Sequence, residues 1–196
     1  MRFWLLDRIC SYETDAELTA IKNVSLAEDY LADHFPEFPV LPGVFMLEAA
    51  TQAGAWLVRL SENFAHSVVV LHEAKAVKFA DFVTPGNALR MCVKQTKREG
   101  KLVHMRFQGE VDGQSCVSGR LVLECSNLAD GKQRHGARES NPNSNGEPPA
   151  EAETKAERWA EYHLVDRQII DALRIQAGIL TRGILTKNSD RIGMAP

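Results

Sequence analysis

Long apolar runs are missing from this chain, and so are paired cysteines, one-sided charge and the short fingerprints of nucleotide chemistry. No stretch approaches the roughly 20 apolar residues that cross a bilayer, and Phe3-Trp4-Leu5-Leu6, cut off by Asp7, is too short for the core of a secretion signal. Membrane insertion is therefore not expected. The four cysteines, Cys10, Cys92, Cys116 and Cys125, lie far apart with no CxxC and no zinc-type spacing. That argues against a disulfide scaffold or a structural metal and for a reducing, cytoplasmic setting. A formal net charge of −3 offers no global field to nucleic acid. His66, His72, His104, His135 and His163 are scattered, and the chain has no P-loop, no dinucleotide-type glycine turn and no Gly-x-Ser-x-Gly elbow. Neither a metal nor a redox cofactor is expected.

What is present divides the chain in two. Residues 2–12 and 16–24 read as strands joined by a polar turn, followed by a short helical turn over 26–33. Pro36, Pro39 and Pro42 make the next segment a constrained loop. An apolar helix runs from Gly43 to about Leu60, a strand from Val68 to Phe79, and then a three-strand meander turns at Glu99-Gly100 and Asp112-Gly113, the latter a strong hairpin signal. The pattern predicts an α+β domain over 1–125, one long helix wrapped by five or six mostly antiparallel strands. A helix apolar on every side needs cover that one curved sheet does not supply, which favours a partner subunit. Residues 126–155, rich in Asn, Ser, Gly, Glu and Pro, read as a disordered linker. Over 156–187, Trp159, Tyr162, Val165, Ile169, Leu173, Ala177, Leu180 and Ile184 recur at helical spacing, which predicts an amphipathic helix in need of a docking surface, with a tail at 188–196.

Inside the apolar helix stands one carboxylate, Glu48. No other ionisable side chain appears from Val44 until Arg59. Such a residue is seldom buried without a reason, and apolar surroundings favour the uncharged form of a carboxyl. Upstream, His34 sits in the proline-rich loop, where an ordinary imidazole is largely neutral and able to take a proton. Pro42-Gly43 exposes the first backbone N–H groups of the helix, which favour developing negative charge on a thioester carbonyl. A base, an acid and an oxyanion donor together suit the elimination of water from a 3-hydroxyacyl thioester.

The segments His34-Phe35-Pro36, Pro39-Val40-Leu41-Pro42-Gly43-Val44 and Leu47-Glu48-Ala49 with Gln52-Ala53 closely resemble the signature of the 3-hydroxyacyl-[acyl-carrier-protein] dehydratases, members of the hot-dog superfamily. Leu5-Leu6-Asp7-Arg8, Lys22-Asn23-Val24-Ser25 and Val83-Thr84-Pro85-Gly86 extend the resemblance over roughly residues 3–125. It implies that His34 and Glu48 are the catalytic pair and that Gly43 supplies the N–H to the thioester carbonyl. Glutamate rather than aspartate at position 48 resembles the branch that only eliminates water. The resemblance further implies an acyl-carrier-protein thioester substrate in fatty-acid synthesis. It also implies a homodimer with His34 and Glu48 meeting across the interface, and in some members a trimer of dimers. Phe35, Val44, Leu47, Val69 and Val70 are the expected tunnel residues, and Lys75 and Lys78 the expected carrier-facing cations.

Three departures stand out. Glu37 follows His-Phe-Pro where the family has glycine, Asp81 interrupts the basic stretch before the Pro-Gly turn, and valines occupy the place of an aromatic gate near Val69-Val70. The basic residues Arg90, Lys94, Lys97, Arg98, Lys101 and Arg106 crowd one region, which suits either an acidic partner or a solvated hairpin face. Two alternatives accompany this reading: a thioesterase on the same fold, and a non-catalytic acyl-binding subunit in which Glu48 is neutralised by a buried Arg.

Overall fold

The computed structural model describes residues 4–129 and 151–182, with side chains in the second segment from His163 onward. Its elements are β1 (Arg8–Glu13), β2 (Glu17–Asn23), a 3-10 turn at Asp29–Leu31, α1 (Gly43–Ser61), β3 (Val68–Phe79), β4 (Ala88–Glu99), β5 (Leu102–Val111), β6 (Gln114–Ser126) and α2 (Glu151–Leu180). The six strands form one antiparallel sheet in the order β1-β2-β4-β5-β6-β3. This is the α+β, hot-dog arrangement, with α1 as the filling.

Alternation builds the sheet. In β4 and β5, Leu89, Met91, Val93, Val103, Met105 and Phe107 turn inward to α1, while Arg90, Lys94, Arg106 and Gln108 turn outward. The meander closes where backbone at positive φ is tolerated: Gly100 (φ 57°), and Asp112 and Gly113 (φ 50° and 82°) as a two-residue hairpin turn. The sheet reaches α1 closely because the inner stripe of the helix is small: Ala49, Ala50, Ala53 and Gly54 are all buried. A Cβ on Gly54 would stand 2.8 Å from Met105 Sδ and 2.9 Å from Leu123 Cδ1.

Two sequence expectations shift. The first strand begins at Arg8, well after the expected start at residue 2. Leu5 donates its N–H to the Gln52 side chain (3.0 Å), so this stretch lies across α1 instead of joining the sheet. The C-terminal helix starts at Glu151, inside the stretch read as linker. The rest of that stretch after Ala129, together with Ile184 and the tail at 188–196, lies outside the described residues.

α2 is held against the domain at defined points. Asp166, 6% exposed, accepts hydrogen bonds from Ser67 Oγ and from the backbone N–H groups of Leu128 (2.9 Å) and Ala129 (3.1 Å). Arg174 lies over the Phe64 ring at 5.6 Å, and Ala177 and Leu180 are buried in the common core. The opposite face, Leu164, Ile175 and Ile179, is exposed.

Candidate active site

Glu48, Gln52 and Arg59 of α1 fall on one stripe. Glu48, Gln52, Ala55, Trp56 and Arg59 follow one another at helical steps and line a cavity of about 240 Å³ together with Trp4, Thr51, Val69, Leu173 and Gln176. A short relay orders the acid. The Leu5 N–H donates to Gln52 Oε1, so the Gln52 amide must turn its NH₂ the other way, and Nε2 donates to Glu48 Oε1 at 2.9 Å. Among the described residues no hydrogen bond engages the second carboxyl oxygen of Glu48. The carboxyl is half-buried in the single chain, less enclosed than the apolar sequence around it predicts.

Arg59 shares the cavity, but eleven positions further along the helix. At 1.5 Å per residue this is about 16 Å along the axis, too far for an ion pair with Glu48. The guanidinium instead lies 5.4 Å from the Trp56 ring, and its Nε is buried without a hydrogen-bond partner among the described residues. Burial pulls its pKa down to about 10. The neutralised Glu48–Arg pair that would mark a non-catalytic site is not formed among the described residues.

His34 lies in the proline-rich loop, half-buried, its ring stacked on Phe35 at 4.2 Å. The loop is tied by reciprocal backbone bonds between Phe35 and Phe38 (3.3 and 3.0 Å) and by the Val40 N–H to the His34 carbonyl (3.0 Å). Glu37, at its tip, is exposed. At the start of α1, Phe45 and Met46 both donate to the Pro42 carbonyl (2.8 and 3.3 Å), while the N–H of Gly43 belongs to the unpaired first turn of the helix. Phe79 presses on Gly43, where a Cβ would meet the ring at 3.0 Å. A side chain at position 43 would push this ring aside by a few tenths of an ångström.

Within one chain these parts are not all brought together. Of the expected tunnel residues, Val69 lines the Glu48 cavity. Leu47 packs half-buried on the core, and Phe35, Val44 and Val70 are 51%, 65% and 48% exposed. His34 does not line the cavity. Phe38, Phe79 and Phe82 are also exposed, and Phe38 packs edge-on to Phe82 at 5.8 Å. Beside them runs β3, a twelve-residue edge strand with one side unpaired among the described residues. A long edge strand flanked by exposed aromatics is a surface suited to pairing with another chain.

Sequence reasoning passed over Trp4, Trp56, Arg59, Leu173 and Gln176. The spacing 48, 52, 55, 56, 59 on α1 was a readable signal for Trp56 and Arg59. Nothing local connects Trp4 or the α2 pair to Glu48.

The expected carrier cation Lys75 stands in a wider pattern. Cross-strand register places Lys94 (β4), Arg106 (β5), Arg120 (β6) and Lys75 (β3) in one lateral row on the outer sheet face. Lys94 and Lys75 have acidic partners, Glu17 and Glu73, each at 2.7 Å. Neighbouring strands lie about 4.8 Å apart, so directly opposed like charges cost stability unless an anion compensates them. Lys78 lies past the bulge of β3, opposite Ser118, and Asp81 is exposed just beyond the strand.

Comparison with known proteins supplies an independent line. A family model described as a FabA-like domain matches residues 1–120. The "3-hydroxyacyl-[acyl-carrier-protein] dehydratase FabZ" of Streptococcus agalactiae serotype V is 38% identical over 123 residues, covering 63% of this chain and 87% of that protein. The enzyme of the same name from Streptococcus mutans is 36% identical over the same length, with the same coverage. Among solved structures, the dehydratase heterocomplex ApeI:P from Xenorhabdus doucetiae aligns with a TM-score of 0.56 at 22% identity, over 67% of this chain and 89% of that one. At that identity it supports the fold alone.

Proposed function

This chain belongs to the FabA-like domain family, and from that premise we propose that it dehydrates 3-hydroxyacyl thioesters to trans-2-enoyl thioesters in fatty-acid biosynthesis, with His34 as base and Glu48 as acid. The observation that carries the assignment is the Leu5–Gln52–Glu48 relay in a cavity, which fixes one carboxyl oxygen while no hydrogen bond engages the other among the described residues.

In the proposed mechanism His34 removes a proton from C2 of the substrate. The carbonyl becomes an enolate, and the charge on its oxygen is met by the Gly43 N–H at the positive end of α1. Glu48 delivers its proton to the C3 hydroxyl, which departs as water while the C2–C3 double bond forms. His34 is left protonated and Glu48 ionised, and one proton exchanged through water resets both. All atoms balance without a further reactant.

His34 lies off the Glu48 cavity within one chain, so the pair is proposed to assemble across a two-fold dimer. The unpaired edge of β3 and the exposed Phe35, Phe79 and Phe82 support that surface. The carrier protein, acidic by this reading, is proposed to dock where Lys75 and Arg120 begin the row of cations, with Lys78 beside them.

A steady-state assay of 3-hydroxybutanoyl thioester tests the reaction. Conversion to the enoyl thioester without release of free thiol is expected. Free thiol without enoyl product would identify a thioesterase instead, and absence of both would refute catalysis. For the docking surface, the double variant Lys75→Glu/Arg120→Glu is expected to raise KM for the carrier-bound substrate about tenfold, corresponding to about 1.4 kcal/mol, relative to its effect on a pantetheine thioester. An equal effect on both substrates would remove these cations from carrier recognition.

A further inference from the structure

The family match ends at residue 120, yet part of the wall of the cavity that Glu48 lines is built from residues far beyond it. We infer that α2 sets the acyl-length limit of the site, with Leu173 and Gln176 closing the cavity so that it takes short acyl chains. This rests on the reading of Glu48 as the acid of a thioester dehydratase.

Three observations support it. First, the wall is anchored. The Asp166 hydrogen bonds, the Arg174–Phe64 contact and buried Ala177 and Leu180 hold α2 both before and after Leu173. Second, the space is small in the single chain. At about 240 Å³ it lies below the roughly 300–1,000 Å³ usual for small-molecule sites. Third, the lining is polar away from Glu48. Gln176 is 8% exposed, and Arg59 has an Nε that is buried and unpartnered among the described residues. A long alkyl tail reaching that end would pack against these polar side chains without offering a hydrogen bond, which is unfavourable.

The test compares kcat/KM for four-carbon and ten-carbon 3-hydroxyacyl pantetheine thioesters in the full-length protein. Wild type is expected to favour the shorter. Leu173→Ala should raise the ten-to-four-carbon ratio about tenfold, the worth of roughly two further buried methylenes, and Leu173→Trp should lower it. Gln176→Ala, acting at the same wall, should raise it as well. Ile175→Ala, on the exposed face of α2 at 70% exposure, should leave the ratio where it is.

Binding of unreactive S-alkyl pantetheines, followed by fluorescence of Trp4 and Trp56 in the cavity, provides a readout independent of turnover. Affinity should fall with alkyl length in wild type and recover in Leu173→Ala. If the wild type turns over no thioester but this binding profile still follows Leu173, the dehydratase reading fails and the length limit stands. If length preference is the same in wild type, Leu173→Ala, Gln176→Ala and Leu173→Trp, the inference is overturned. Undocking of α2 in a variant does not rescue it, because losing the wall should raise the ratio further.

Discussion

Glu48→Gln and His34→Ala are each expected to lower kcat for dehydration by about 10²–10⁴-fold, the usual worth of a positioned acid or base, with thermal stability close to wild type. The glutamine is isosteric, and its amide oxygen still accepts from Gln52 Nε2, so the relay from Leu5 survives while the transferable proton is lost. His34 is only half-buried and packs on an exposed Phe35, so its truncation removes little core. A sharper outcome follows from the proposed dimer. Neither variant is active alone, but subunits mixed after unfolding and refolding should recover about a quarter of wild-type activity, since half of the dimers would pair one intact histidine with one intact glutamate. Complete failure of the mixture to regain activity, with dimers present, would place the two residues in the same subunit's site. Near-normal turnover by either single variant would remove that residue from the chemistry.

Asp166→Ala is expected to release α2 from the domain. The carboxylate satisfies three donors in a buried position, Ser67 Oγ and the N–H groups of Leu128 and Ala129. Leaving a buried donor unpaired costs about 1–3 kcal/mol, so the docked position loses stability relative to the released helix. Hydrogen exchange over residues 163–180 should accelerate in the variant while exchange in α1 and the sheet is unchanged. Unaltered protection of that segment would mean that apolar contacts at Ala177 and Leu180 suffice. The same group gives docking a pH dependence. Burial alone pushes the Asp166 carboxyl up, but its hydrogen bonds from Ser67, Leu128 and Ala129, with His163 nearby, outweigh burial and hold it below the ordinary carboxylate value. A pKa depressed in the folded state stabilises docking fully above the unfolded value, about 3.9. That stabilisation is lost as pH falls through the folded-state value. Protection of α2 should therefore be flat through neutral pH and decline in acid, and Asp166→Asn should remove the acid-dependent component.

Much of the candidate site could be read along the chain because its parts are close in sequence. The Pro42-Gly43 entry, the solitary Glu48 and the His34 loop lie within fifteen positions. Helical spacing alone put Gln52 one turn beyond Glu48. Strand alternation and the Asp112-Gly113 turn likewise marked the meander, since these patterns reflect local backbone preference. The β1 boundary was misplaced because Leu5 and Leu6 are as apolar as any strand. Long-range burial of both leucines in the core and the bond from Leu5 to Gln52 draw them over α1.

From its order of residues alone, this chain determined an apolar helix carrying one acid, a wrapping sheet of alternating strands and an amphipathic segment in search of a surface. Periodicity and composition act over a few neighbours and need no knowledge of the rest. Folding decided which groups share a cavity. It set Trp4 and the α2 residues Leu173 and Gln176 in the cavity that Glu48 lines, kept Arg59 out of the reach of Glu48, left His34 off that cavity within the single chain and aligned cations from four strands into one row. Those relations depend on register and packing between segments up to more than a hundred residues apart, and no local signal in the chain encodes them.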